Sequence, residues 1–230
     1  GPLSLAAGQA LAQTKRVALL YSNAGCPSIL GAIFATKWKK NRCRDINKLI
    51  YDKIVSDPKI RDIFLISRWS LYLEGYNEQG SPHPYIVFDK HDTATKENLK
   101  ERGAQYAQKI VDTICALTAQ GKNVYVMAPV PELVQNVPAV LAKSRLLHHT
   151  DAAVNISMAE YRARNAVVLQ ALARADKKCG VHILETTRAL CDTGTCFGIR
   201  GGKALYSDSN HLSDAGNAAV EPLFVKALQK

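Results

Sequence analysis

A chain of 230 residues, 47% apolar and with a formal net charge of +10, is long enough to bury one large α/β core or two small ones. No run of eighteen apolar residues occurs, which excludes a helical membrane span within the chain. The basic residues are dispersed apart from a cluster at Lys37, Lys39, Lys40, Arg42 and Arg44, aromatic residues make up 7%, and no nucleic-acid-binding motif is present. The expectation is therefore no nucleic-acid partner, and a solvated basic face suited to anionic glycolipid headgroups.

In chain order, Gly1-Pro2 reads as the remnant of a protease cleavage, with a native chain that extends upstream. Residues 4–13 (SLAAGQALAQ) read as a helix and Arg16–Tyr21 as a buried strand. That strand ends in Ser22-Asn-Ala-Gly-Cys-Pro27, a turn rich in breakers. Residues 45–56 set Ile46, Leu49, Ile50 and Ile54 on one helical face. Ile63–Ser67 is the next buried strand, and it leads directly into Arg68-Trp69-Ser70-Leu71-Tyr72. A polar and aromatic run at the carboxyl end of a parallel strand is where α/β folds place ligands. Residues 74–93, with Gly75, Gly80, Pro82 and Pro84, read as a long excursion that serves as a lid or rim. It holds a short strand at Tyr85–Phe88 and two surface histidines, His83 and His91.

A helix over 94–119 turns Leu99, Tyr106, Ile110, Val111, Ile114 and Leu117 inward, and Gly121 closes it. Residues 123–128 form the third buried strand, which Pro129 and Pro131 end sharply. Residues 133–156 make a helical connection in which His148 and His149, being adjacent, diverge and do not share a metal. Ser157-Met-Ala-Glu160 is a capping box that opens a helix to about Lys178, with Tyr161, Val168, Leu169 and Leu172 inward. Gly180 stops it, and Val181–Leu184 is the last strand. The alternation of strands and helices predicts a single domain, a three-layer α/β/α sandwich around a mainly parallel sheet.

Six cysteines form an even set. Cys191 and Cys196 bracket a tight loop, Cys26 and Cys43 bracket a stretch holding Pro27, Gly31 and the basic cluster, and Cys115 and Cys179 each end an apparent helix. Cys26–Cys43 and Cys191–Cys196 are the expected disulfides and Cys115 with Cys179 could make a third, though connectivity does not follow from sequence. Disulfides would imply an oxidising compartment such as the periplasm. There is no C-x-x-C and no close Cys/His group, so no zinc site and no metal or organic cofactor is expected.

Just before the final apolar stripe (Ala218, Val220, Leu223, Phe224, Leu228) stands Tyr206-Ser-Asp-Ser-Asn-His-Leu-Ser-Asp-Ala-Gly-Asn217. Asp208 and His211 are three positions apart, so one turn sets them side by side. A carboxylate that accepts the imidazole Nδ1–H leaves Nε2 to take a proton from a hydroxyl. Leu212 anchors the turn, and Gly216 permits a close approach at the start of the last helix.

This D-x-N-H-L-S-x-x-G string resembles the closing catalytic block of the SGNH (GDSL-type) hydrolases. It is most similar to the extracytoplasmic SGNH domain fused to membrane acyltransferases of the acyltransferase-3 family. The resemblance implies a Ser–His–Asp triad with His211 and Asp208, an oxyanion hole drawing on the backbone N–H of Gly25, and an SGNH-like fold. The usual G-x-N-D block is absent; Arg68-Trp69-Ser70 stands in its place, and Arg68, Trp69 and Asn210 are candidate substrate contacts. No G-D-S occurs in the 230 residues. Either the nucleophilic serine and its strand lie upstream, or Ser4 takes the nucleophile's place. The resemblance implies O-acyl transfer, usually of acetyl, to a bacterial surface carbohydrate, the donor being delivered by an associated membrane domain. The alternatives are a free-standing carbohydrate esterase and a non-catalytic glycan-binding module.

Overall fold

The computed structural model describes residues 3–14, 16–23, 25–34, 42–89, 99–149 and 152–229. Gly1, Pro2, Lys37, Lys39, Lys40, His91 and the start of the helix expected from residue 94 lie outside them. The elements run α1 (Leu3–Ala12), β1 (Ile33–Phe34), α2 (Cys43–Ser56), β2 (Asp62–Leu65), α3 (Trp69–Glu74), β3 (Ile86–Val87), α4 (Leu99–Thr118), β4 (Asn123–Met127) and α5 (Val137–Leu146). After these come β5 (Asn155–Ser157), α6 (Met158–Cys179), β6 (His182–Leu184), α7 (Thr187–Leu190), β7 (Thr195–Phe197), β8 (Ile199–Arg200), β9 (Lys203–Ala204) and α8 (Asp214–Leu228). Among the described residues no helix is long and apolar enough to cross a membrane. The chain divides into two compact units.

One unit comprises Tyr21–Pro129 and Asn165–Ile183. Its sheet has the order β2-β4-β6, with β2 and β4 parallel in a register that sets Ile63 beside Val124 and Leu65 beside Val126. Side chains alternate across a strand, so these four share one face, and they join Ile110, Ile114, Val168 and Leu172 of α4 and α6 in one buried cluster. The intervening residues form an aromatic row on the other face. Phe64 stacks on Tyr125 with ring centroids 4.8 Å apart, and Tyr125 lies 4.9 Å from His182. Cys115 is bonded to Cys179, tying α4 to α6, and Cys26 is bonded to Cys43. The excursion after α3 begins at Gly75, whose φ of 77° ends the helix in the left-handed region. A Cβ there would stand 2.8 Å from the Tyr85 ring.

Three expectations are corrected. The strand at the Val181–Leu184 position, which the sequence reads as the last, is β6, and β7, β8 and β9 follow it. Leu49 is exposed, because the buried stripe of α2 runs through Cys43 and Ile54 with Ile50 packed beside them, and Leu49 falls one residue off it. Residues 16–21 form no strand: Val17, Leu19 and Leu20 are 92%, 63% and 68% exposed. An apolar run with strand propensity is not itself a strand, since the extended backbone needs a neighbour to satisfy its N–H and C=O groups.

The other unit comprises Gly1–Leu20, Val130–Arg164 and Leu184–Lys230. In it α1 packs on α8 through the fully buried Ala6 and Ala10, and Gln13 donates to Glu221 at 2.7 Å. Two small antiparallel pairs, β5 with β7 and β8 with β9, lead towards the Tyr206–Asn217 segment. Cys191 is bonded to Cys196. The capping box closes as its sequence predicts: the Glu160 carboxylate accepts from the Ser157 N–H at 2.7 Å, and the Ser157 hydroxyl accepts from the Glu160 N–H at 3.1 Å.

The Cys115–Cys179 bond spans 64 residues. Replacing both cysteines by serine is expected to lower stability by about 4 kcal/mol, the loop-entropy value for that length. Denaturant titration of the variant against the oxidised protein measures it.

Candidate active site

Leu205 and Tyr206 are buried, and the chain doubles back after them. The Ser207 N–H donates to the His211 carbonyl at 2.8 Å, Tyr206 bridges Leu212, and the Ser213 N–H donates to the Leu205 carbonyl at 3.0 Å. Residues 207–211 thus form a short loop whose two ends are fastened together. Ser213 then begins α8. Its hydroxyl donates to the Ala204 carbonyl at 2.7 Å and accepts the Gly216 N–H at 3.2 Å, an N-cap. At Gly216 a Cβ would meet the Leu205 carbonyl oxygen at 2.0 Å, so only glycine permits the helix start to lie against this backbone.

Inside the loop, Asp208 organises the chemistry. Its Oδ1 accepts the backbone N–H groups of Asn210 and His211, both at 2.7 Å, which bends the loop into an Asx turn. Its Oδ2 lies 2.6 Å from Nδ1 of His211. Burial pushes the Asp208 carboxyl up, but the two amides and the His211 ring together outweigh it and hold the group below its ordinary value. An ionised Asp208 therefore accepts a hydrogen bond from Nδ1–H, which leaves the basic lone pair on Nε2. The two side chains are 37% and 48% exposed, so a substrate can reach the ring.

A second loop braces the first. The N–H of Leu133 donates to the Ser209 carbonyl at 2.8 Å, and that of Val137 to the Asp208 carbonyl at 3.0 Å. Both donors belong to fully buried residues. Sequence reasoning places a rigid turn here from Pro129 and Pro131 but gives no sign of these two bonds, which join segments about seventy residues apart and follow no local pattern.

The remaining candidates occupy defined positions. Asn210 is beside the dyad, its amide donating to the Ser209 hydroxyl at 3.2 Å. Gly25, Arg68 and Trp69 belong to the unit built on the sheet. Gly25 has φ of 84°, the left-handed conformation that suits glycine, at a turn closed by the Cys26 N–H and the Asn23 carbonyl. Arg68, after β2, pairs with the almost fully buried Glu78 at 2.9 Å. Trp69 is 1% exposed and donates its indole N–H to the Met127 carbonyl at 3.0 Å, so in this structure its ring packs in the core. The carboxyl end of β2 also carries a pair not foreseen from sequence, Ser70 donating to Asn165 at 2.6 Å within the core. Ser4 falls in α1, and its side chain lies outside the described residues.

A fold with a parallel sheet and a D-x-x-H dyad before its last helix defines the class, and comparison with known families agrees with it. The family model for the SGNH domain fused to AT3 domains matches residues 2–226, and the chain belongs to this family. Among solved structures it is similar to the periplasmic domain of a lipopolysaccharide acetyltransferase from Salmonella ser. Paratyphi A. The TM-score is 0.64 at 12% identity, over 99% of this chain and 79% of that one, a likeness of fold. No curated protein matches the chain significantly.

Gly216→Ala is expected to destabilise the protein by about 3 kcal/mol or more, since backbone rather than a flexible side chain stands in the way; a denaturation midpoint measures it. Asp208→Asn keeps an oxygen for the two amides and removes the charge. A folded-state value below the ordinary 3.8 means that the carboxylate adds stability above that pH and loses it as pH falls further. The stability difference between wild type and variant should therefore shrink as pH falls through and below the ordinary carboxylate value of 3.8. A difference that grows on acidification would contradict the assignment.

Proposed function

We propose that this chain is a single SGNH-type O-acyltransferase domain on the extracytoplasmic side of a membrane, passing an acyl group, in the simplest case acetyl, to a hydroxyl of a bacterial surface carbohydrate. The observation that carries the reading is the Asp208–His211 pair, held at 2.6 Å with Nδ1 facing the carboxylate. Family membership supports a membrane-embedded AT3 domain as the source of the acyl group, and the similar Salmonella structure is the periplasmic domain of a lipopolysaccharide acetyltransferase. Three disulfides among the described residues fit an oxidising compartment.

The chemistry runs in two transfers. A serine Oγ attacks the donor's acyl carbon while its proton passes to Nε2 of His211, and the imidazolium returns that proton to the departing group. The acceptor hydroxyl then gives its proton to Nε2 and attacks the acyl-serine, and the serine oxygen is reprotonated as it leaves. Asp208 stabilises the imidazolium in both halves and stays ionised. The Gly25 N–H is the proposed oxyanion donor, an interaction worth about 3–4 kcal/mol where it operates. Arg68 and Asn210 are proposed to contact the acceptor; Trp69, the third candidate from sequence, is 1% exposed and is not proposed as a contact. The proposed nucleophile is the serine of a G-D-S motif, which these 230 residues do not contain, with Ser4 as the alternative.

Intact-mass spectrometry after incubation with p-nitrophenyl acetate tests the reading on this chain and on a longer one carrying a G-D-S segment. The longer chain should gain one acetyl, roughly 42 Da, and lose it on adding the acceptor glycan. His211→Ala in the longer chain should lower acylation by about 10⁴-fold or more with the fold retained. Undiminished acylation of that variant would remove His211 from the mechanism. Acylation of the shorter chain at Ser4 would relocate the nucleophile, and an acyl-enzyme lost equally fast to water would favour an esterase.

A further inference from the structure

Glu132 follows the Pro129–Pro131 turn, and its carboxylate holds Arg164 of α6. Nε and Nη2 of Arg164 both donate to Oε2 of Glu132 at 2.7 Å, with the two side chains 18% and 11% exposed. The residue after Glu132 is Leu133, whose N–H holds the Ser209 carbonyl, and Val137 holds the Asp208 carbonyl four positions on. These are the two peptide carbonyls immediately before Asn210, at the bend that lets Asp208 face His211. The packing around them is tight. A Cβ at Gly198 would meet Val154 O at 2.6 Å, Leu133 Cδ1 at 2.7 Å and Val137 Cγ2 at 3.0 Å, so this loop has no slack on that side. Tyr206 lies at the base of the dyad loop, fully buried and near enough to Glu132 for the carboxylate to add to the burial that raises its phenol.

We propose that the Glu132–Arg164 ion pair positions the dyad: it fixes the 129–137 loop, whose Leu133 and Val137 amides hold the Asp208–Ser209 backbone and thereby aim the Asp208 carboxylate at Nδ1 of His211. Glu132 and Arg164 touch no reacting atom in this account. They act through two backbone hydrogen bonds on the geometry of a third. The alternative is a purely structural pair that joins α6 to the loop and leaves the dyad indifferent to its loss. The two differ in what happens to the imidazole. Aimed by Asp208, neutral His211 carries its proton on Nδ1; released, it becomes the tautomer mixture of an unrestrained side chain. The inference rests on the proposed role of the dyad, and the experiment separates the failure of one from the failure of the other.

Long-range ¹H–¹⁵N correlation spectra of the 230-residue chain, above the titration range of its histidines, read the tautomer of His211 directly. Wild type is expected to show Nδ1–H, and Asp208→Asn to lose that preference. Removing one partner strands a buried charge and endangers the fold, so the test variant is the double replacement Glu132→Gln with Arg164→Met, accompanied by Arg164→Lys. Circular dichroism confirms that each is folded. The double variant should lose the Nδ1–H preference while remaining folded, and Arg164→Lys, which keeps the charge on a single nitrogen, should restore most of it. A folded double variant with wild-type tautomer overturns the positioning role and leaves the dyad intact. A wild-type protein without Nδ1–H preference overturns the dyad itself. If the double variant does not fold, Arg164→Lys decides alone: a partial loss of Nδ1–H supports positioning, and an unchanged tautomer overturns it in favour of the structural role.

Discussion

The carboxylate of Asp208 does two jobs that are one physical event. Its Oδ1 gathers two backbone amides and makes the turn; its Oδ2 meets His211 and makes the dyad. Because the turn is what brings His211 within reach, loop order and ring orientation form together, and ordering the ring adds little entropic cost beyond the turn itself. The dyad can then be well oriented without being deeply buried. Everything around it serves this bend: Ser213 starts α8 just after it, and Gly216 lets the helix press against Leu205.

A bend of five residues held only by its own side chain would be loose. Here the peptide carbonyls on one side are held by Leu133 and Val137, and their loop is in turn held by an ion pair. A largely buried pair is weak evidence of net stability, because removing two charges from water offsets their attraction. Its contribution is directional. Two guanidinium donors on one carboxylate oxygen constrain where Glu132 lies, and an apolar pair of equal volume would hold that loop with less angular definition.

What sequence revealed and what it hid divide along the range of the interactions. Asp208 and His211 are legible because the bonds that define them span two or three residues, and so is the Ser157–Glu160 cap. The strands at 62–65, 123–127 and 182–184 and the inner face of α4 follow from hydrophobic period alone. Residues 16–21 have the same composition as those strands and yet form none, because a strand is a property of a pair and the sequence describes one partner. Leu49 illustrates a smaller error of the same kind: four apolar residues fit a helical face, but the stripe that is buried was set by what packs against it. Glu132 and Arg164 are thirty-two positions apart with no motif to join them, and Trp69 fits a ligand contact from sequence but fits slightly better the packed position it takes.

The half-exposed imidazole bears on the choice between transfer and hydrolysis. A general base in contact with solvent activates water as readily as a sugar hydroxyl, and water is the more abundant nucleophile. Transfer then requires that the acyl-enzyme be shielded until the acceptor arrives, or that the acceptor itself displace water from His211. With the His211 side chain 48% exposed, the second arrangement is the more natural one for the proposed transfer. A large carbohydrate laid over an open dyad removes the competing water in the same step that supplies the hydroxyl. In the proposed reaction the acceptor would be part of the site's dielectric as well as its substrate, and selectivity for transfer should rise with the surface the acceptor covers rather than with the strength of any one contact to it.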